Sequence, residues 1–209
     1  MITIINYGTG NLFSVEKAFA ALGAEVRVSS KHEDILSSDK IVLPGVGAFG
    51  DCMRQLNASG LIPAVKENVA KGIPLLGICV GLQILFEGSE ESAGVEGLNL
   101  LRGRVRKISA QHEKIPHMGW NALDLAENHR EKGLFKGIPQ SSYVYFVHSY
   151  YAAPEDMSIV SSSCFYGEKI TASISTKNIM ATQFHPEKSG DVGLNIIQNF
   201  IHNGSEGST

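Results

Sequence analysis

Gly77-Ile78-Cys79-Val80-Gly81 sets a thiol between two glycines, where the apolar run from Ile73 to Cys79 gives way to a helical pattern starting near Leu82. A nucleophile on a strand-to-helix turn needs a tight, strained backbone, and small residues must flank it. The start of a helix favours the thiolate over the thiol. The free N–H of Val80 is placed to donate to an oxyanion. The plainer alternative is a small buried hydrophobe, the ordinary fate of a free cysteine. The glycines and the strand-to-helix context favour the nucleophile. Cys52 and Cys164 lack that context and read as structural.

A thiolate that transfers an acyl group needs a base, and the base needs an orienting partner. Of the seven histidines, His185 closes an apolar segment in Gln183-Phe184-His185-Pro186-Glu187. In extended chain, residues i and i+2 point to the same side, so Glu187 can reach the imidazole and fix its tautomer. The alternative is a surface histidine beside a solvated glutamate. His148, in Val147-His148-Ser149-Tyr150, is a second candidate base with no carboxylate nearby in sequence. His117, in Pro116-His117-Met118-Gly119-Trp120, is a candidate orienting or partner-facing residue.

Gly45-Val46-Gly47-Ala48-Phe49-Gly50 matches the G-x-G-x-x-G of dinucleotide sites. Pro44 precedes it, Asp51 follows it, and it does not lie after the first strand. An acid at the loop exit repels a pyrophosphate. A loop offering backbone N–H groups to an oxyanion fits better, with Gly47 the natural donor because glycine reorients its peptide cheaply. A plain strand-to-helix turn is the alternative.

The elements that must hold these groups change character along the chain. Ile2 to Tyr7, Glu25 to Ser29, Lys40 to Leu43 and Ile73 to Cys79 read as strands; residues 11–22, Leu61 to Val69 and a segment from Leu82 to Phe86 read as helical. That alternation predicts a parallel core with helices on both faces. Beyond it, Leu100 to Ser109, Tyr143 to Tyr151, Ile159 to Phe165, Ile170 to Ser175 and Ile179 to Phe184 read as strands, suggesting antiparallel additions. Val192 to Ile201 reads as a final helix. The expected class is α/β, an open flavodoxin-like sheet with a mostly parallel core.

With 209 residues, one domain over residues 1–203 and a polar tail at 204–209 are expected. A net charge of −3, with no basic block, argues against a duplex nucleic-acid partner. Three widely spaced cysteines suggest neither a disulfide framework nor a metal site, and no cofactor is implied. No apolar run nears the roughly 18 residues of a membrane span. No signal peptide is evident, so a cytoplasmic protein is expected.

Taken together, GICVGLQILF (Gly77 to Phe86) and FHPEK (Phe184 to Lys188) resemble the nucleophile and His–Glu segments of class I (triad) glutamine amidotransferases. Asn6 to Asn11 (NYGTGN), PGVGAFGD (Pro44 to Asp51), PHMGWN (Pro116 to Asn121) and YFVHSY (Tyr145 to Tyr150) narrow the resemblance to the glutaminase subunits of imidazole glycerol phosphate synthases. It runs from about residue 2 to 201. It implies a Cys79–His185–Glu187 triad and a γ-glutamyl thioester. It also implies an oxyanion hole from Gly47 and Val80, and glutamine held by Gln83, Glu91, Ser149 and Tyr150, the last two mainly through backbone. It further implies a (β/α)8-barrel cyclase partner that receives ammonia, with Trp120, Tyr145 and Lys188 as interface candidates. Such a subunit is expected to be slow alone, and a flip of the peptide before Gly47 is a physical form for that control. Competing readings are a triad amidotransferase of another pathway, such as one feeding pyridoxal phosphate or anthranilate synthesis, a nucleotide-binding flavodoxin-like module, and a non-catalytic interaction protein on the same scaffold.

Overall fold

A computed structural model describes residues 1–109 and 113–202. The expected tail at 204–209 lies outside the described residues. Four short parallel strands open the chain: β1 (Ile2–Ile5), β2 (Val26–Ser29), β3 (Lys40–Gly45) and β4 (Leu75–Cys79). β1 and β4 are buried along their whole length, the mark of strands covered on both faces. The chain steps outward from β1 to β2 through α1 (Leu12–Ala21) and returns to β3 through α2 (His32–Leu36). Right-handed crossovers then put these helices on opposite faces. Asn11 caps α1 by accepting from the Ser14 N–H at 3.3 Å.

Two more helices, α3 (Phe49–Ala58) and α4 (Ile62–Ala70), link β3 to β4. The periodicity reading passed over α3, although its buried Phe49, Cys52, Met53 and Leu56 keep helical spacing. The helix expected from Leu82 is shorter and earlier: α5 (Val80–Gln83) is one turn, after which Ile84 to Phe86 fold into the core.

The second half adds β5 (Gly88–Ser89), β6 (Gly103–Lys107), β7 (His117–Ala122), β8 (Asp124–Leu125), β9 (Tyr143–His148), β10 (Tyr150–Pro154), β11 (Val160–Tyr166), β12 (Glu168–Ser175) and β13 (Ile179–Thr182). The main sheet runs β2-β1-β3-β4-β13-β12-β11-β8. β13 pairs parallel to β4, while β12, β11 and β8 join antiparallel. The mostly parallel core with antiparallel additions is therefore present. The single strand expected at Tyr143 to Tyr151 is two strands broken at Ser149: β9 pairs with β7, and β10 pairs with β6. The last helix, α6 (Gly190–His202), packs on α1 through an edge-on Phe19–Phe200 contact. Among the described residues no helix is long and apolar enough to cross a membrane.

Candidate active site

Cys79 ends β4 with φ +55° and ψ −110°, a left-handed conformation that non-glycine residues rarely adopt. Such strain persists only where the surroundings enforce it, and here the flanking glycines allow them to close in. A Cβ on Gly81 would sit 1.9 Å from the Leu43 carbonyl oxygen, and one on Gly77 would sit 2.9 Å from the Gly81 oxygen. Gly45 of the neighbouring strand meets the Gly81 nitrogen at 2.7 Å in the same sense. These contacts press the elbow against β3 and bring Cys79 beside the glycine loop.

β13 lies next to β4, so the chain leaving β13 delivers Gln183 and His185 to the same end of the sheet. His185 is fixed at its backbone. Its N–H donates to the Tyr145 carbonyl at 3.0 Å, and its own carbonyl accepts from the Ser189 hydroxyl at 2.7 Å. Its Nδ1 lies 2.8 Å from Glu187 Oε1, and both side chains are almost fully buried. The pairing follows the sequence expectation by a different route. β13 stops at Thr182, and Pro186–Lys188 form a 3-10 turn rather than extended chain. Burial opposes a charged His185. The neighbouring Cys79 sulfur and the Glu187 carboxylate outweigh it and hold the group up at about 10. His185 Nε2 and Glu187 Oε2 find no hydrogen-bond partner among the described residues.

His148, the second candidate base, is committed elsewhere. Its Nδ1 donates to the Tyr150 carbonyl at 2.9 Å, which leaves Nε2 to accept from His117 Nδ1 at 3.0 Å. His117 Nε2 in turn accepts from the Asn121 amide at 3.3 Å. Burial pushes both imidazoles down, His117 to about 4 and His148 to about 3. They form a neutral pair that braces the strand break at Ser149.

The glycine loop is buttressed from behind. The Tyr7 hydroxyl donates to the Pro44 carbonyl at 2.7 Å, and Thr9 Oγ1 donates to the Val46 carbonyl at 3.0 Å. Cys52 Sγ donates to that same carbonyl at 3.4 Å. Sequence reasoning set Cys52 aside as structural and gave Tyr7 and Thr9 no role. Their shared target is the signal that only coordinates supply. A trans peptide places the Gly47 N–H opposite the Val46 carbonyl, so this N–H points away from Thr9 and Cys52. Gly47 itself has φ +91°, which favours glycine.

The dinucleotide reading of this loop fails on contacts. The α3 N–H groups that would face a phosphate are taken: Phe49 N–H donates to Glu91 Oε2 at 2.7 Å, and Gly50 N–H donates to Ser92 Oγ at 3.0 Å.

A cavity of about 310 Å³ gathers Val46, Gly47, Cys79, Val80, Gln83, Glu91, His148, Ser149, Tyr150 and His185. Its size lies at the small end of ligand sites, roughly 300–1,000 Å³, and suits one small polar molecule. Gln83 spends its amide N–H groups on the Tyr150 carbonyl at 2.9 Å and on Gln183 Oε1 at 3.1 Å, so only its oxygen remains to offer. The Tyr150 carbonyl already accepts from Gln83 and His148 and has no lone pair left for a ligand. Of the remaining candidates, Trp120 and Tyr145 face each other across β7 and β9, with ring centroids 6.2 Å apart, outside the cavity. Trp120 is 55% exposed, so it is not a core residue, and Lys188, the residue after Glu187 in the same 3-10 turn, is exposed.

The class-I glutamine amidotransferase family matches residues 3–203. The chain is 48% identical over 206 residues to imidazole glycerol phosphate synthase subunit HisH of Syntrophotalea carbinolica, covering 96% of this chain and 98% of the relative. It is 48% identical over 200 residues to the HisH subunit of Bacillus cereus, covering 96% and 93%. Among solved structures, PurLQS from Thermotoga maritima superposes with a TM-score of 0.73 at 18% identity, covering 97% of each chain, a likeness of fold.

Proposed function

Because the chain belongs to the class-I glutamine amidotransferase family, and within it to the HisH subunits of imidazole glycerol phosphate synthase, we propose that it hydrolyses glutamine to glutamate and ammonia through a thioester on Cys79, as the glutaminase subunit that serves a cyclase subunit in histidine biosynthesis. The observation that carries this reading is that Cys79 and His185 line one small cavity, with Glu187 paired to the far side of the His185 imidazole at 2.8 Å.

In this reading His185 takes the Cys79 proton, with Glu187 orienting the imidazole through Nδ1. The Cys79 thiolate attacks the glutamine carboxamide carbon, and the carbonyl oxygen takes the negative charge. Val80 and Gly47 N–H groups donate to that oxygen; one such donor is worth roughly 3–4 kcal/mol of barrier. As the C–N bond breaks, His185 gives its proton to the nitrogen, which leaves as ammonia. Water, deprotonated by the now neutral His185, then attacks the thioester and releases glutamate, and the proton returns the site to its starting state. Gln83 accepts from the substrate through its free oxygen. Glu91 holds the substrate ammonium with the carboxylate oxygen not committed to Phe49, and Ser149 and Tyr150 line the substrate's path.

The partner is a cyclase subunit, and in this reading a (β/α)8 barrel. It covers the cavity mouth through the outward face of β7 and β9, where Met118 and Trp120 are exposed and Tyr145 and Lys188 lie alongside. Aromatic anchors of this kind concentrate binding energy at interfaces. The enzyme works in the cytoplasm.

The test is glutamate release from glutamine by the chain alone, with the cyclase subunit, and with the subunit plus its nucleotide ligand, Cys79→Ala being run in each. Release mainly in the last mixture, lost in the variant, supports the full reading. Equal release in every mixture removes partner control. No release in any mixture, with a cyclase competent on free ammonia, refutes the glutaminase assignment.

A further inference from the structure

We infer that Gln183 is a dedicated hydrogen-bond donor to the Cys79 sulfur, held in that orientation by a relay that begins at a backbone carbonyl. Gln183 is fully buried, and its Nε2 lies 3.7 Å from Cys79 Sγ, within range for a bond to sulfur. An amide has two ends, and only the NH2 end favours a thiolate; the oxygen end would repel it. The relay decides which end faces sulfur. The Tyr150 carbonyl only accepts, so it obliges Gln83 to present its NH2 group at 2.9 Å. The same NH2 group reaches Gln183 at 3.1 Å and obliges Gln183 to present its oxygen. The remaining end of Gln183, its own NH2, is thereby turned onto Cys79.

The backbone holds the side chain in place as well, since the Gln183 N–H donates to the Ala172 carbonyl on β12 at 2.8 Å. The chain leaving β13 thus brings both His185 and a neutral donor to the sulfur, the donor's direction being set through Gln83 by the Tyr150 carbonyl. A donor of this kind enlarges the thiolate fraction near neutral pH. It does so at some loss of intrinsic nucleophilicity, because a better-stabilised thiolate attacks more slowly.

That trade gives a signature that mere structural support would not. The probe is iodoacetamide, with alkylation of the Cys79 peptide followed by mass spectrometry from pH 5 to 10 on the full-length chain. Gln183→Met removes the donor at nearly constant volume. Gln183→Leu also removes the N–H without adding a charge, and serves if the methionine variant does not fold. The ionisable groups around the sulfur (His185, Glu187, His148, Tyr7 and Cys52) are the same in each variant. The apparent alkylation pKa should rise by about one unit, the size of one hydrogen bond to a charged group. The curves should cross, the variants reacting at least as fast as the unsubstituted chain at pH 10 and up to roughly tenfold slower at pH 7. A profile that superimposes on the unsubstituted chain, or one lowered by a constant factor at every pH, overturns the inference. The inference rests on the Cys79 nucleophile of the proposed reaction, yet alkylation needs no glutamine. A chain that alkylates as described and releases no glutamate even with the cyclase subunit and its nucleotide ligand would refute the glutaminase reading and leave the role of Gln183 intact.

Discussion

Replacing Glu187 with glutamine keeps the shape of the His185 partner and removes its charge. The carboxylate meets Nδ1 at 2.8 Å with both side chains almost fully shielded from solvent, so the lost interaction is a hydrogen bond between charged groups, worth about 1.5–3 kcal/mol. As a barrier term, that corresponds to a fall of roughly tenfold to hundredfold in kcat. Glutamate release by the complex with the cyclase subunit measures it, and KM should stay within about twofold because Glu187 does not line the cavity. The same substitution has a stability signature with a defined sign. His185 is raised from its ordinary 6.5 to about 10. Its partners therefore stabilise the fold fully below pH 6.5, and that contribution is lost as pH rises through 10. The urea midpoint of Glu187→Gln should trail that of the unsubstituted chain most at pH 6, and the gap should narrow by pH 10. A gap that is constant with pH, or a kcat within twofold, would refute the assignment of Glu187 as the charged orienting partner.

Gly81→Ala should lower stability by about 1–3 kcal/mol and cut glutamate release by at least roughly a hundredfold, because its Cβ would lie 1.9 Å from the Leu43 oxygen and the elbow must shift; denaturation and kinetics on one preparation check both. Thr9→Val removes one of two donors to the Val46 carbonyl and should lower kcat by about tenfold, a fraction of what a lost oxyanion donor costs. An unchanged kcat would mean that Cys52 alone holds the peptide. The His117–His148 pair is pushed down to about 4 and 3, so it stabilises the fold above pH 6.5, and this is lost as pH falls toward 3. His148→Gln should flatten the decline of the urea midpoint between pH 6.5 and 4.

The groups proposed to do the chemistry were the most legible part of the sequence, because each demand on them is local. The Cys79 turn needs glycines two positions to either side, and the His185 partner lies two residues on. The parallel half was equally readable, since buried strands such as Leu75–Cys79 leave an unbroken apolar run. What the sequence concealed is contact between distant residues. Thr9, Cys52 and Val46 meet at one carbonyl across 37 and 6 positions, and no periodicity announces that. His148 looked like an available base because its commitment to His117, 31 residues away, is a matter of β7–β9 register. Tyr143 to Tyr151 looked like one strand because apolar alternation continues through Ser149, whereas its two halves belong to different sheets. α3 was missed because Gly50 and Asp51 in its first turn read as loop residues.

The seam between β4 and β13 also bears on the order in which the enzyme becomes competent. These strands are adjacent in the sheet, yet β13 begins a hundred residues after Cys79 leaves β4. A chain emerging from the ribosome carries its thiol, its elbow glycines and its Thr9-braced loop long before it carries Gln183, His185 or Glu187. Until the last sheet strand docks, the cysteine has neither proton acceptor nor sulfur donor, so a half-made chain holds a dormant thiol and spills no ammonia. Closing that seam is a long-range pairing of the kind that comes late in folding. The appearance of fast Cys79 alkylation during refolding would therefore time the docking of β13 directly.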